Sequence, residues 1–189
     1  MRNVLLFATL SALPLASAQA ADSYTVDPAH TYGHFAISHL GFSTMFGRIH
    51  STGGNFMVDL DNMTGSVQVE LDPASIDTGH QKRDDHLRSP DFLNVVEFPE
   101  MRFESTAVNL TENGGTVEGE LTLHGQTQPV TLEITAWHCG THPINKKEAC
   151  GFDATGKLKR SDFGISYGLP AIGDDMTLYL ELEGLKEES

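Results

Sequence analysis

The strongest constraint in this chain is a two-residue period in its hydrophobic side chains. Over residues 66–71, Val67, Val69 and Leu71 fall on one side and Ser66, Gln68 and Glu70 on the other. Residues 116–123 set Val117, Gly119, Leu121 and Leu123 against Glu118, Glu120 and Thr122. The pattern repeats with Val130, Leu132, Ile134 and Ala136, then Phe152, Ala154, Gly156 and Leu158, then Met176, Leu178, Leu180 and Leu182. Successive side chains of an extended strand point to opposite faces, so this period specifies strands with one face buried and one in water. Weaker strands are expected at 34–39, 53–60 and 101–110. Asn62-Met63-Thr64-Gly65, Asn113-Gly114-Gly115 and His124-Gly125-Gln126 supply hairpin connections. About eight strands joined mainly by short turns form an all-β protein, an antiparallel barrel or sandwich. Residues 77–96 break the pattern. They are polar, carry helical spacing around 81–88 and restart at Pro90-Asp91-Phe92-Leu93. A short helical segment over one end of an eight-stranded barrel accommodates them. Residues 42–46 read as a second short turn.

The amino terminus reads as a targeting segment. Arg2 precedes an apolar run over residues 4–15 and the small-x-small string Ala18-Gln19-Ala20. That run is too short to span a bilayer. Cleavage is expected after Ala20, leaving residues 21–189 as one periplasmic domain without a transmembrane helix. The net charge of −14 becomes −15 without residues 1–20. Such an acidic surface argues against nucleic acid and against anionic membrane surfaces. The two cysteines, Cys139 and Cys150, are expected to form a disulfide that staples a hairpin. The rival reading is zinc at His138, Cys139 and His142, which lacks a second ligand pair at finger-like spacing.

Inward positions are apolar but uneven, because Gly119, Ala136, Ala154 and Gly156 interrupt the bulky residues. Two readings stand. The small residues leave room for a slim ligand, or they taper the barrel against large residues opposite. A cavity lined by Leu, Val, Phe and Met selects an apolar ligand, since each buried methylene contributes about 0.8 kcal/mol. The candidate tunnel wall is Phe35, Ile37, Val67, Val69, Phe103, Gly119, Leu121, Leu123, Phe152 and Leu180. The candidate mouth is His39, Arg83, Asp84, His86, Arg88, Asp91, Arg160 and Asp162. One reading of Arg83, Arg88 and Arg160 is capture of an anionic or carbonyl head group by forked donors. The other is that Arg and Asp pair with each other and cap loops while Phe92 and Phe163 plug the barrel.

Catalysis finds no support. Gly164-Ile165-Ser166-Tyr167-Gly168 matches G-x-S-x-G as a string but leads into Leu169-Pro170 and not into a helix, so it makes no nucleophile elbow, and no Gly-rich phosphate loop or HExxH string is present. His34 and His39 fall on opposite faces of one strand, so no metal site is assigned. A heme- or metal-binding module using His39, His86 or His124 is one alternative. A filled barrel acting as an interaction or stress protein is another.

Several strings together resemble the YceI-like family. They are Tyr24-Thr25-Val26-Asp27-Pro28-Ala29-His30, Ser38-His39-Leu40-Gly41, Ala74-Ser75-Ile76-Asp77-Thr78-Gly79, residues 82–92, Phe98-Pro99, Leu121-Thr122-Leu123-His124-Gly125 and Arg160-Ser161-Asp162-Phe163-Gly164-Ile165. They run in order through nearly the whole of residues 21–189. The resemblance implies a lipocalin-like barrel with a long tunnel that binds polyisoprenoid lipids, such as prenyl quinones or prenyl phosphates, without catalysis or a required cofactor. It also implies a periplasmic setting, with some members linked to base or osmotic stress. Tails longer than one barrel are compatible with a homodimer. The segment carrying Cys139 and Cys150 departs from the family pattern.

Overall fold

The computed structural model describes residues 21–188. The expected leader, residues 1–20, lies outside them. Nine strands form one antiparallel sheet: β1 (Asp22–Val26), β2 (Tyr32–His39), β3 (Ser43–Asp59), β4 (Thr64–Leu71), β5 (Met101–Thr111), β6 (Gly114–Leu123), β7 (Gln126–Thr141), β8 (Glu148–Lys159) and β9 (Ile172–Lys186). Each strand from β2 to β9 pairs with the next, and β9 returns to pair with β2, so eight staves close into a barrel. The ninth strand is not an extra layer. β1 runs between the far ends of β3 and β9 in line with β2, so β1 and β2 make one stave broken by the 3-10 turn Pro28–His30. Asp27 caps that turn, its carboxylate accepting from Ala29 N–H at 2.9 Å and His30 Nδ1 lying 2.7 Å away.

Outward faces carry exposed Glu118, Glu120, Glu133, Asp153 and Lys157, and inward faces are apolar. This is the inverse of a membrane-spanning barrel, whose apolar band faces outward. Among the described residues, no helix is long and apolar enough to cross a membrane.

Four sequence expectations need correction. Residues 42–46 are not a separate turn: only residues 40–42 bend, and β3 starts at Ser43 and runs for 17 residues. The restart at 90–93 is not helical. α1 (Gln81–Arg88) ends at Ser89, which the following Pro90 holds extended (φ −73°, ψ 170°). The turn beyond it is tied by Phe92 N–H to Ser89 O and Leu93 N–H to Leu87 O. Ala136 does not face inward, because a β-bulge between Ile134 and Ala136 leaves it exposed and gives its inward place to Trp137. Finally, the five-residue β1 stands where the alternation indicated no strand.

Most inward glycines do not leave empty space; Gly33 is the exception. A side chain at Gly119 would meet the Phe103 ring and Glu104 O, one at Gly47 the Phe35 ring, one at Gly184 the Phe56 ring, and one at Gly156 Leu132. Large side chains lie across these glycines, from the adjacent strand at Gly119, Gly47 and Gly156 and from β3, one strand beyond β1, at Gly184, and the glycines let the sheet curve while keeping it covered. At Gly119 and Gly156 the large partner therefore comes from the adjacent strand and not from across the barrel, whereas Ala154 borders open space inside the barrel.

Candidate functional site

The room inside the barrel lies along its axis. Two cavities of about 150 Å³ and about 160 Å³ follow one another. Together they reach the lower end of ligand-pocket sizes, roughly 300–1,000 Å³. The first is walled by Val67, Val69, Phe103, Val108, Leu110, Val117, Leu132, Ile134 and Phe152, with Thr31, Ser66 and Glu181 among its few polar neighbours. The second is walled by Phe35, Ile37, Met45, Ile49, Leu123, Leu158, Ile172 and Met176 and roofed by Ile76, Leu87, Phe92, Leu93 and Ile165. Gly33, Leu71, Leu121, Leu178 and Leu180 line both. They form a waist between two chambers.

The roof is the connection between β4 and β5, which carries α1, together with the connection between β8 and β9. Arg88 fastens α1 to the chain before it. Its Nε donates to Ala74 O at 2.6 Å, its Nη2 to Ile76 O at 3.0 Å, and its Nη1 pairs with Asp85 at 3.0 Å. Arg83 donates to Thr78 Oγ1 and Thr78 O, and buried Asp84 accepts from Thr78 N–H and its hydroxyl. His86 pairs with Asp91 at 2.8 Å and sits edge-on to Phe92 and Tyr167. Phe92 thus reaches the chamber on a scaffold of satisfied polar groups. Phe163 is 1% exposed and packs into the core.

Arg160 differs from the other arginines. It is 3% exposed and lines the α1-side chamber. Its guanidinium donates to Gly173 O (2.8 Å), Ile165 O (3.0 Å) and Ile172 O (3.2 Å) and stands over the Phe92 ring at 6.0 Å. Burial pushes its pKa down from the ordinary arginine value, and Asp174 opposes that shift. Asp174 itself accepts from the Ser161 N–H and hydroxyl, not from Arg160. The guanidinium has five N–H donors, of which three are given to carbonyls here.

The predicted wall residues fall into three groups. Val67, Val69, Phe103 and Phe152 line the first chamber, Phe35, Ile37 and Leu123 the second, and Leu121 and Leu180 the waist. Gly119 lies beneath Phe103 and lines neither. The predicted mouth residues are not one cluster. Arg83, Asp84, Arg88 and the His86–Asp91 pair build the α1 roof, and Arg160 reaches the chamber. Asp162 is exposed, its carbonyl accepting from Gln128, and half-buried His39 ends β2. Gly33, Leu71 and Leu178 were absent from the predicted wall. An isolated glycine inside a strand was the available signal for the first, since it marks a close approach.

Cys139 and Cys150 form a disulfide directly across β7 and β8, with Cα atoms 4.1 Å apart. The zinc reading of that segment is thereby overturned. His124 holds Phe163 O through Nδ1 at 3.0 Å and abuts Phe98. Among the described residues, no three His, Cys, Asp or Glu side chains are grouped to hold a metal ion.

Comparison with known proteins gives consistent findings. A model of the YceI-like domain matches residues 24–184. Protein YceI of Salmonella arizonae is 37% identical over 190 residues, covering 99% of each chain, and that of Salmonella paratyphi B matches equally. Among solved structures, Burkholderia cenocepacia BcnA superposes with a TM-score of 0.70 at 22% identity, over 84% of this chain and 98% of its own. A polyisoprenoid binding domain from Saccharophagus degradans, implicated in plant cell wall breakdown, superposes with a TM-score of 0.61 at 13% identity, over 87% and 98%. At these identities the solved structures establish a shared fold.

Proposed function

The chain belongs to the YceI-like family, and from that premise we propose that it binds one long, slim isoprenoid-type lipid inside the barrel and carries or sequesters it without chemical change. The observation that carries this reading is the axial pair of apolar chambers sharing Gly33, Leu71, Leu121, Leu178 and Leu180. A compact ligand would need one round pocket, whereas an unbranched or prenyl chain suits two chambers in series. Burial of its methylenes supplies affinity without hydrogen bonds. The solved Saccharophagus domain is described as polyisoprenoid binding, which agrees with that chemistry. Arg160 is our candidate seat for a quinone carbonyl or prenyl phosphate oxygen at the α1 end. The Cys139–Cys150 disulfide accords with an oxidising compartment, and we place the protein in the periplasm after removal of residues 1–20.

Native mass spectrometry of protein purified without detergent, followed by organic extraction, tests the proposal. A stoichiometric prenyl quinone or prenyl phosphate is the expected result. Empty protein that also refuses added prenyl quinone would refute it.

A further inference from the structure

The β2–β3 hairpin has a tip that its own folding does not require. Its turn has positive φ at Leu40 (54°) and Gly41 (73°), closed by Phe42 N–H to His39 O at 3.0 Å. This is the type I′ geometry, in which the first central position favours Asn or Gly. A leucine there is held in a backbone conformation it disfavours, and its side chain is 50% exposed. Next to it, Phe42 is 91% exposed and Phe46 60% exposed. A disfavoured residue that stays half exposed is the kind of local conflict found where a surface has another task.

Charge is distributed to match. The chain has 26 Asp and Glu residues, yet residues 28–58, which hold β2 and all of β3 but its last residue, contain none, although Asp174 and Asp175 stand in the β9 bulge beside Ser38. The same hairpin supplies Ile37 and Met45 to the wall of the α1-side chamber, within a few residues of the tip. Two more exposed apolar residues, Val96 (93%) and Tyr167 (50%), belong to connections at this same end of the barrel.

We propose that the β2–β3 tip docks on the surface of an electrically neutral phospholipid bilayer, with Leu40, Phe42 and Phe46 entering the interface. The inference rests on the lipid-carrier reading for its purpose: docking sets the α1-side chamber against the phase from which an apolar cargo leaves. The partner's chemistry follows from the tip. It is convex and narrow, which suits insertion between lipids better than a protein groove. Its own residues, 39–46, carry no carboxylate to be desolvated on insertion. Because apolar insertion and not charge drives it, docking withstands salt.

The test is flotation of the protein with phosphatidylcholine vesicles at low and at 0.5 M salt, on the order of one and several times physiological ionic strength. The variant is Leu40→Asn with Phe42→Ser, which restores the preferred turn residue and so preserves the hairpin. The parent should float at both salts. The variant should lose at least about tenfold of the vesicle-bound fraction, melt no earlier than the parent, and bind a short-tailed prenyl quinone equally by calorimetry. A parent that stays with the buffer, or a variant that floats as well as the parent, overturns the proposal. So does a parent that elutes as a dimer by gel filtration, does not float, and becomes monomeric in the variant, since the tip then meets a second copy. If the parent floats, the variant does not and neither binds quinone, docking stands while the carrier reading falls.

Discussion

Replacing Gly33 by leucine tests whether one ligand chain runs through both chambers. Gly33 lies in β2 with φ outside the left-handed region, so its backbone accepts an L side chain. A Cβ built there meets Leu71 Cδ2 at 3.3 Å and Leu180 Cδ2 at 3.8 Å, and no backbone atom comes near. Both neighbours are flexible ends, so the Cβ needs a shift of a few tenths of an ångström. The carbons beyond it grow into the waist. The fold should survive, because gain in strand propensity offsets overpacking of about 1–3 kcal/mol. The ligand should not fare as well. A chain excluded from the far chamber loses burial of at least one isoprene unit, about four methylene equivalents at ~0.8 kcal/mol each. That is about 3 kcal/mol, or on the order of 100-fold in Kd. Calorimetry with prenyl quinones of one or two and of eight or more isoprene units, on the order of one chamber and more than two, reads this directly. Gly33→Leu should keep the short ligand and lose the advantage of the long one. A long ligand that binds both proteins with equal affinity would refute a continuous passage.

Three further outcomes are expected. Arg160→Lys cannot reach Gly173 O, Ile165 O and Ile172 O together, so urea denaturation should show a loss of about 2–4 kcal/mol. Serine at both Cys139 and Cys150 opens a hairpin of sequence separation 11; the midpoint of denaturation should fall by the equivalent of about 2–3 kcal/mol at most. Hydrogen bonds from the Ser161 hydroxyl and N–H hold the Asp174 carboxyl below its ordinary pKa. Its stabilisation is therefore full above about pH 4 and disappears as pH falls through the lowered value. Thermal melts from about pH 5 down to about pH 2.5 should show a smaller acid-induced drop in Asp174→Asn than in the parent.

Period-two alternation made most of the barrel legible, because one buried face leaves its mark at every second residue. It failed where the backbone left that period. The bulge after Ile134 turned Ala136 outward, and nothing in Thr135-Ala136-Trp137 marks it. β1 escaped notice because it is a short piece of a stave completed by β2. The chambers were harder to read than their walls. Phe103 and Phe152 can be assigned inward from their own strands, but the ring that covers Gly119 comes from the strand beside it. Arg160 was a head-group candidate alongside Arg83 and Arg88, with nothing in the sequence to separate it from them. Its partners, the carbonyls of residues 165, 172 and 173, lie in a segment without periodicity, so their convergence had no sequence signal.

Closure of the ring by β9 also has a kinetic consequence. β9 pairs with both β1 and β2, so Tyr24 meets Lys186 and Tyr32 meets Glu181 across most of the chain. Such non-local pairing is slow, since loop-closure entropy is lost before contacts compensate it. Until residues 172–186 arrive, β2 and β8 each present a bare edge, and the apolar inner face is open to water. A chain emerging amino end first therefore stays an open, association-prone sheet until its last strand is free. The interior that suits a lipid exists only once that strand has closed it.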